Sequence, residues 1–257
     1  MAITLVKEAG IAYINLNKPP ANTYNLDLMR ELDNAINEIR QDDRIIAVIL
    51  RSEVPKMFSA GADIQMLKAS DPTYKAAFCL FCQETLNKLE RTPKIFIAAL
   101  EGNCVGGGLE IALACDFRFM ADGNWKIGLP ESNLGVLPGT GGSQRLPRLI
   151  GKARALDLMI TGRLLSPQEA LHIGLVEYVW PQEELMERTI EYARNLTRRA
   201  IRTVGLIKLD VNQGLEMPLE AALTLERELQ NRLFVTHDAQ EGLAAFIEKR
   251  QPQFEGR

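Results

Sequence analysis

Hydrophobic and polar residues change rhythm along the chain, and the rhythm divides it into elements. Ile3 to Val6 and Ile11 to Leu16 flank Gly10 and alternate as a strand hairpin does. Asn17 to Asn22 is a loop. Leu28, Leu32, Ala35, Ile36 and Ile39 recur at helical spacing, which predicts a helix with one core-facing side. Ile45 to Leu50 reads as a buried strand, Ser52 to Ala62 as a loop, and Tyr74 to Leu89 as a helix closed by Thr92-Pro93. Ile95 to Leu100 is an unbroken apolar run, the signature of a strand covered on both faces.

That run opens the segment on which the rest depends. It breaks at Gly102, passes three consecutive glycines (Gly106, Gly107, Gly108) and enters an apolar helix that contains one carboxylate, Glu110. Glycines let a ligand approach the backbone, and the first N–H groups of a new helix have no partners within it. A carboxylate in such surroundings is costly unless it is paired or has a chemical task.

Beyond Asp116, Phe117–Met120 and Trp125–Leu129 read as short strands. Pro130-Glu131 leads to a further glycine cluster, Gly139 to Gly142. Helices are predicted over 142–149 and 152–160. Ser166-Pro167-Gln168-Glu169 carries a capping box, and Leu175–Val179 reads as a strand. From Gln182 the pattern is helical, with turns near Arg199, at 214–218 and at 236–238. An α/β core followed by a helical module is the fold class this implies.

Composition narrows the function. The 257 residues are 46% apolar and 25% charged with a net charge of -3, as expected of one large globular unit and unlike a nucleic-acid or anionic-membrane binder. No apolar run reaches the roughly 20 residues of a spanning helix. The N-terminus reads as strands, not a signal peptide, so a cytoplasmic protein is expected. Cys79-x-x-Cys82 has no second pair, and the chain has only two histidines, so no metal site is expected and the cysteines read as buried thiols. Arg194, Arg198, Arg199, Arg202 and Lys208 form a basic stretch without interleaved aromatics, which reads as a solvated helix face.

The glycine turns near Gly61, Gly107 and Gly139 fit neither the dinucleotide nor the P-loop pattern, and no nucleophile elbow occurs. What remains is a pair of carboxylates beside glycine turns, Glu110 and Glu131. Two carboxylates in a partly desolvated cleft suit acid–base chemistry, because burial and mutual repulsion raise at least one pKa. Structural roles, a helix-start charge and a turn cap, stand as the plain alternative.

Several segments together resemble the enoyl-CoA hydratase/isomerase family, the crotonases. They are Phe58–Ile64, Ile97–Ala112, Leu129-Pro130-Glu131, Gly135–Leu146, Thr161-Gly162-Arg163, Asp238–Phe246 and Glu248-Lys249-Arg250, in order over nearly the whole chain. The resemblance implies a spiral of strand–strand–helix units over residues 1–195 and a helical trimerisation region over 196–257. It also implies a homotrimer or homohexamer.

The resemblance further implies that the backbone N–H groups of Ala62 and Gly107 form an oxyanion hole. Glu110 would activate water, Glu131 would protonate C2, and Gly139 would line the water pocket. Ala21, Tyr24, Ala60, Asp63 and Ile64 would contact the CoA moiety, with Lys249 reaching a phosphate in the oligomer. Because both glutamates are present, the implied activity is hydration of a 2-enoyl-CoA thioester, with no cofactor beyond the CoA of the substrate itself. A double-bond isomerase, or a non-catalytic or RNA-binding protein of this fold, is the alternative. Tyr24 stands where the family often has Leu; it either rests on CoA or fills the loop with its hydroxyl in water. Met66, Leu67, Phe78 and Phe81 are candidates for the acyl pocket.

Overall fold

The alternating N-terminal residues form two antiparallel strands, β1 (Ile3–Glu8) and β2 (Ile11–Leu16), with Ile3 opposite Leu16. The computed structural model describes residues 1–257. α1 (Leu26–Arg40) begins where the Asn25 side chain accepts the Leu28 N–H, and it buries Leu28, Leu32, Ile36 and Ile39.

The chain then repeats one unit three times: a strand in a large sheet, a short strand in a small sheet, then helix. The first unit is β3 (Ala47–Ser52), β4 (Met57–Ser59), α2 (Ile64–Ala69) and α3 (Pro72–Arg91). The second is β5 (Ile95–Leu100), β6 (Asn103–Val105) and α4 (Gly107–Leu113). The third is β7 (Phe117–Ala121), β8 (Ile127–Gly128), a 3-10 turn over Glu131–Leu134, α5 (Gly142–Ile150), α6 (Lys152–Thr161) and α7 (Pro167–His172). β9 (Tyr178–Trp180) completes the large sheet, whose order is β1-β2-β3-β5-β7-β9; the small sheet is β4-β6-β8. Every pairing after the first is parallel.

β5 lies at the centre, and all six of its residues are buried. Phe96, Ala98 and Leu100 face the main core under α1 and α3, while Ile97 and Ala99 face a second core capped by α8 (Leu185–Thr197). Successive strand residues point to opposite faces, and both faces are covered here, so an unbroken apolar run was required. The tail is α9 (Ile201–Gly214), α10 (Leu219–Phe234) and α11 (His237–Glu248). No helix is long and apolar enough to cross a membrane.

Several expectations need correction. The loop at 52–62 and the turn after Gly102 each contain a strand, β4 and β6. The strand expected at 125–129 shrinks to two residues, and that at 175–179 shifts to 178–180. Arg194 lies on α8 and Lys208 on α9, so the basic stretch is not one face. Lys208 is only 6% exposed; its ammonium donates to the carbonyls of Leu89 and Lys94 and pairs with Asp116 at 2.8 Å. It ties α9 to the sheet and is not available to a polyanion. α8 packs on the sheet through Leu185 and Ala193.

Candidate active site

Strands β4, β6 and β8 are parallel neighbours, so whatever follows each of them meets at one edge of the small sheet. After β4 comes Ala60-Gly61-Ala62, after β6 Gly106-Gly107, and after β8 Leu129-Pro130-Glu131. Three segments far apart in sequence thus occupy equivalent places in successive turns of the spiral. The approach is close: a Cβ built on Gly61 would sit 2.7 Å from the Gly107 nitrogen, and one on Gly106 would sit 3.2 Å from Glu131 Oε1. Gly61 also has φ +87°, where other residues are strained.

Two backbone donors face this junction unpaired. Tyr24 bridges Ala62 in parallel fashion: its N–H donates to the Gly61 carbonyl and its carbonyl accepts the Asp63 N–H, both at 2.9 Å. In that pattern the bridged residue keeps its own N–H directed away, and the Ala62 N–H has no acceptor in the chain. Gly107 is the first residue of α4, so its N–H lacks an intrahelical partner and likewise finds none elsewhere. Paired donors of this kind stabilise negative charge developing on a carbonyl oxygen.

The two carboxylates differ in character. Glu110, in the first turn of α4, is 2% exposed, and its Oε1 accepts the Thr140 and Gly142 N–H groups at 2.7 Å each. Burial raises its pKa, while those bonds and the Arg145 charge pull it back. Gly142 opens α5, so Glu110 also meets a second helix start. Glu131 is half-buried, and its Oε2 is buried without a partner. Burial, reinforced by the charge of Glu110, pushes its carboxyl up to about 7. One group is a held carboxylate, and the other is poised to carry a proton near neutral pH.

The remaining expected residues distribute as follows. Ala60 N–H donates to the Ala21 carbonyl at 2.9 Å, so these two residues pair with each other beside the junction. Asp63 caps α2 by accepting the Gln65 and Met66 N–H groups, and Ile64 is 52% exposed beside it. The Gly139 carbonyl accepts Gln83 Nε2 at 2.7 Å while its N–H donates to nothing in the chain. Lys249 is exposed at the left-handed end of α11, and nothing in the single chain brings it to the glutamates.

Tyr24 packs into the interior, as the filling alternative has it, but without its hydroxyl in water. It is 2% exposed, so its ring offers no face for CoA and its hydroxyl is not in water; the hydroxyl lies 3.2 Å from Thr140 Oγ1. Phe78 is buried in the core, whereas Met66, Leu67 and Phe81 are partly buried against it. The four cysteines are free, and burial raises the thiol pKa of each.

Thr140 and Gly142 were not anticipated. They act through backbone N–H groups, which leave no side-chain signature; the available signal was the glycine pair itself, since Gly141 at φ +117° turns both flanking N–H groups onto one oxygen. A cavity of about 1060 Å3 between α5, α9 and the end of α4 is lined by neither glutamate; among its charges Arg145 pairs with Glu90 and Arg148 with Glu216.

The family model for enoyl-CoA hydratase/isomerase matches residues 6–257. The chain belongs to that family. It is 57% identical to a Geobacillus kaustophilus enoyl-CoA hydratase of known structure, with a TM-score of 0.98 and coverage of 100% of this chain and 97% of the other. It is 39% identical to the short-chain-enoyl-CoA hydratase of Clostridium acetobutylicum (97% of this chain, 95% of that protein). It is 36% identical to the crotonyl-CoA hydratase of Syntrophomonas wolfei (98% and 97%). Family membership and the fold expected from the sequence therefore agree with the spiral seen here.

Proposed function

We propose that this protein is an enoyl-CoA hydratase that adds water reversibly across the 2,3 double bond of a 2-enoyl-CoA thioester to give the 3-hydroxyacyl-CoA. The observation that carries this is the pairing of a bonded carboxylate, Glu110, with a proton-holding one, Glu131, beside two unpaired backbone donors. In this reading the thioester oxygen accepts from the Ala62 and Gly107 N–H groups, which draws electron density from C3. Glu110 takes a proton from water as its oxygen bonds C3. Charge gathers on the thioester oxygen, and Glu131 delivers its proton to C2. Exchange with solvent then returns Glu110 to the carboxylate and Glu131 to the acid.

The names of the relatives support a short acyl chain. Ala21, Ala60 and the α2 start would border the CoA moiety. A homotrimer or a dimer of trimers would bury the exposed apolar residues of the helical tail, among them Ile207, Leu215, Leu219 and Phe246, and bring Lys249 to a neighbouring subunit's phosphate. An isomerase needs one carboxylate to shuttle a proton between C2 and C4, whereas this site holds two. Assaying a 2-enoyl-CoA and a 3-enoyl-CoA side by side tests the reading: water addition to the 2-enoyl substrate is expected. Double-bond migration in the 3-enoyl substrate without hydration would replace it.

A further inference from the structure

We propose that Tyr24 is a positioning residue that holds both oxyanion donors and the Glu110 carboxylate in one fixed arrangement. Its catalytic consequence rests on the hydratase reading; the contacts do not. The backbone of Tyr24 straddles Ala62, bonding the residue on either side, and this is what leaves the Ala62 N–H free. Its ring is buried against Phe78 at a centroid distance of 6.1 Å. Its hydroxyl lies over Gly107 so closely that a Cβ on residue 107 would come within 2.1 Å of it. The same hydroxyl meets Thr140 Oγ1 at 3.2 Å, and Thr140 donates its N–H to Glu110 at 2.7 Å. One side chain thus touches the second donor and, through one intermediary, the base.

Burial, with Glu110 and Glu131 nearby, keeps the Tyr24 phenol protonated, and in its contact with Thr140 Oγ1 either hydroxyl can donate. By holding the Thr140 side chain, the phenol fixes the residue whose N–H reaches Glu110 Oε1 at 2.7 Å, a bond that favours the ionised base. The other titratable groups facing Glu110 are Glu131 after β8, Arg145 on α5, and Cys79 and Cys82 on α3. None of these would be altered by removing the phenol oxygen.

Tyr24→Phe in the full-length protein removes that oxygen and keeps the ring. Carbon-13 titration of the glutamate side chains, with Glu110 assigned through Glu110→Gln, reads the base without any substrate. The Glu110 proton affinity is expected to rise about threefold or more, the scale of one hydrogen bond. On a 2-enoyl-CoA, kcat is expected to fall about 3- to 10-fold with KM within twofold, and the acid limb of the pH profile should move upward. Thr140→Val should give the same titration shift, and it serves alone if Tyr24→Phe does not fold. An unchanged Glu110 titration in either folded variant overturns the proposal. Failure of the hydratase reading would appear separately, as a wild-type protein that adds no water, while the titration still decides the role of Tyr24.

Discussion

Replacing Glu131 by glutamine should stabilise the protein while disabling it. Glu131 carries a buried, unpartnered oxygen, and its pKa stands at about 7 against an ordinary 4.5. The folded state therefore binds more protons than the unfolded chain between those values, so stability falls as pH rises through the window and stays low above it. At about 1.4 kcal/mol per tenfold change, the gap corresponds to about 3 kcal/mol. The side chain is only half-buried, and solvent screening reduces this to about 1–2 kcal/mol. Glu131→Gln removes the titrating group, and Glu110 remains in both proteins. Denaturant midpoints at fixed protein concentration should coincide closely near pH 4.5. They should separate by pH 8, with the variant the more stable by that amount. A difference that stays flat across this range would show that Glu131 has an ordinary pKa, and the proton-donor assignment would fall with it.

Other outcomes follow from the same geometry. Gly107→Ala places a methyl against the buried Tyr24 hydroxyl; overpacking of this kind costs about 1–3 kcal/mol, and turnover should fall at least about 10-fold as the donor shifts, both readable from melts and steady-state rates. For hydration, kcat/KM should decline on the alkaline side through about pH 7, because Glu131 must be protonated to serve C2; a profile flat to pH 9 would contradict this. Lys208→Met strands Asp116 and the Leu89 and Lys94 carbonyls. A loss of about 3 kcal/mol is expected, with turnover unchanged at a temperature where the variant stays folded.

The sequence shows most clearly where an element is long and wholly buried. β5 and α4 could be read because six consecutive apolar residues demand cover on both faces, and a lone glutamate among apolar neighbours demands a partner or a task. β4 and β6 could not, since three residues cannot display a period of two, and β8 showed only as part of the longer run Trp125–Leu129; these strands exist through pairing with distant partners. The glutamates announced themselves as charges in apolar surroundings. Thr140 and Gly142 did not, because a backbone N–H is present at every non-proline position and only the fold aims it. Lys208 misled for a related reason: helical spacing cannot reveal that Asp116 and two carbonyls wait opposite it. Tyr24 misled because nothing local indicates that its hydroxyl lies over Gly107, 83 residues away in sequence.

The most direct measurement is turnover of a short 2-enoyl-CoA by the wild-type protein, Glu110→Gln and Glu131→Gln, followed by loss of the conjugated thioester absorbance. Thioester binding is measured in parallel. The expected result is water addition by the wild type and a loss of about 10²-fold or more in each variant, with binding retained. Near wild-type turnover in either variant would contradict the two-carboxylate mechanism.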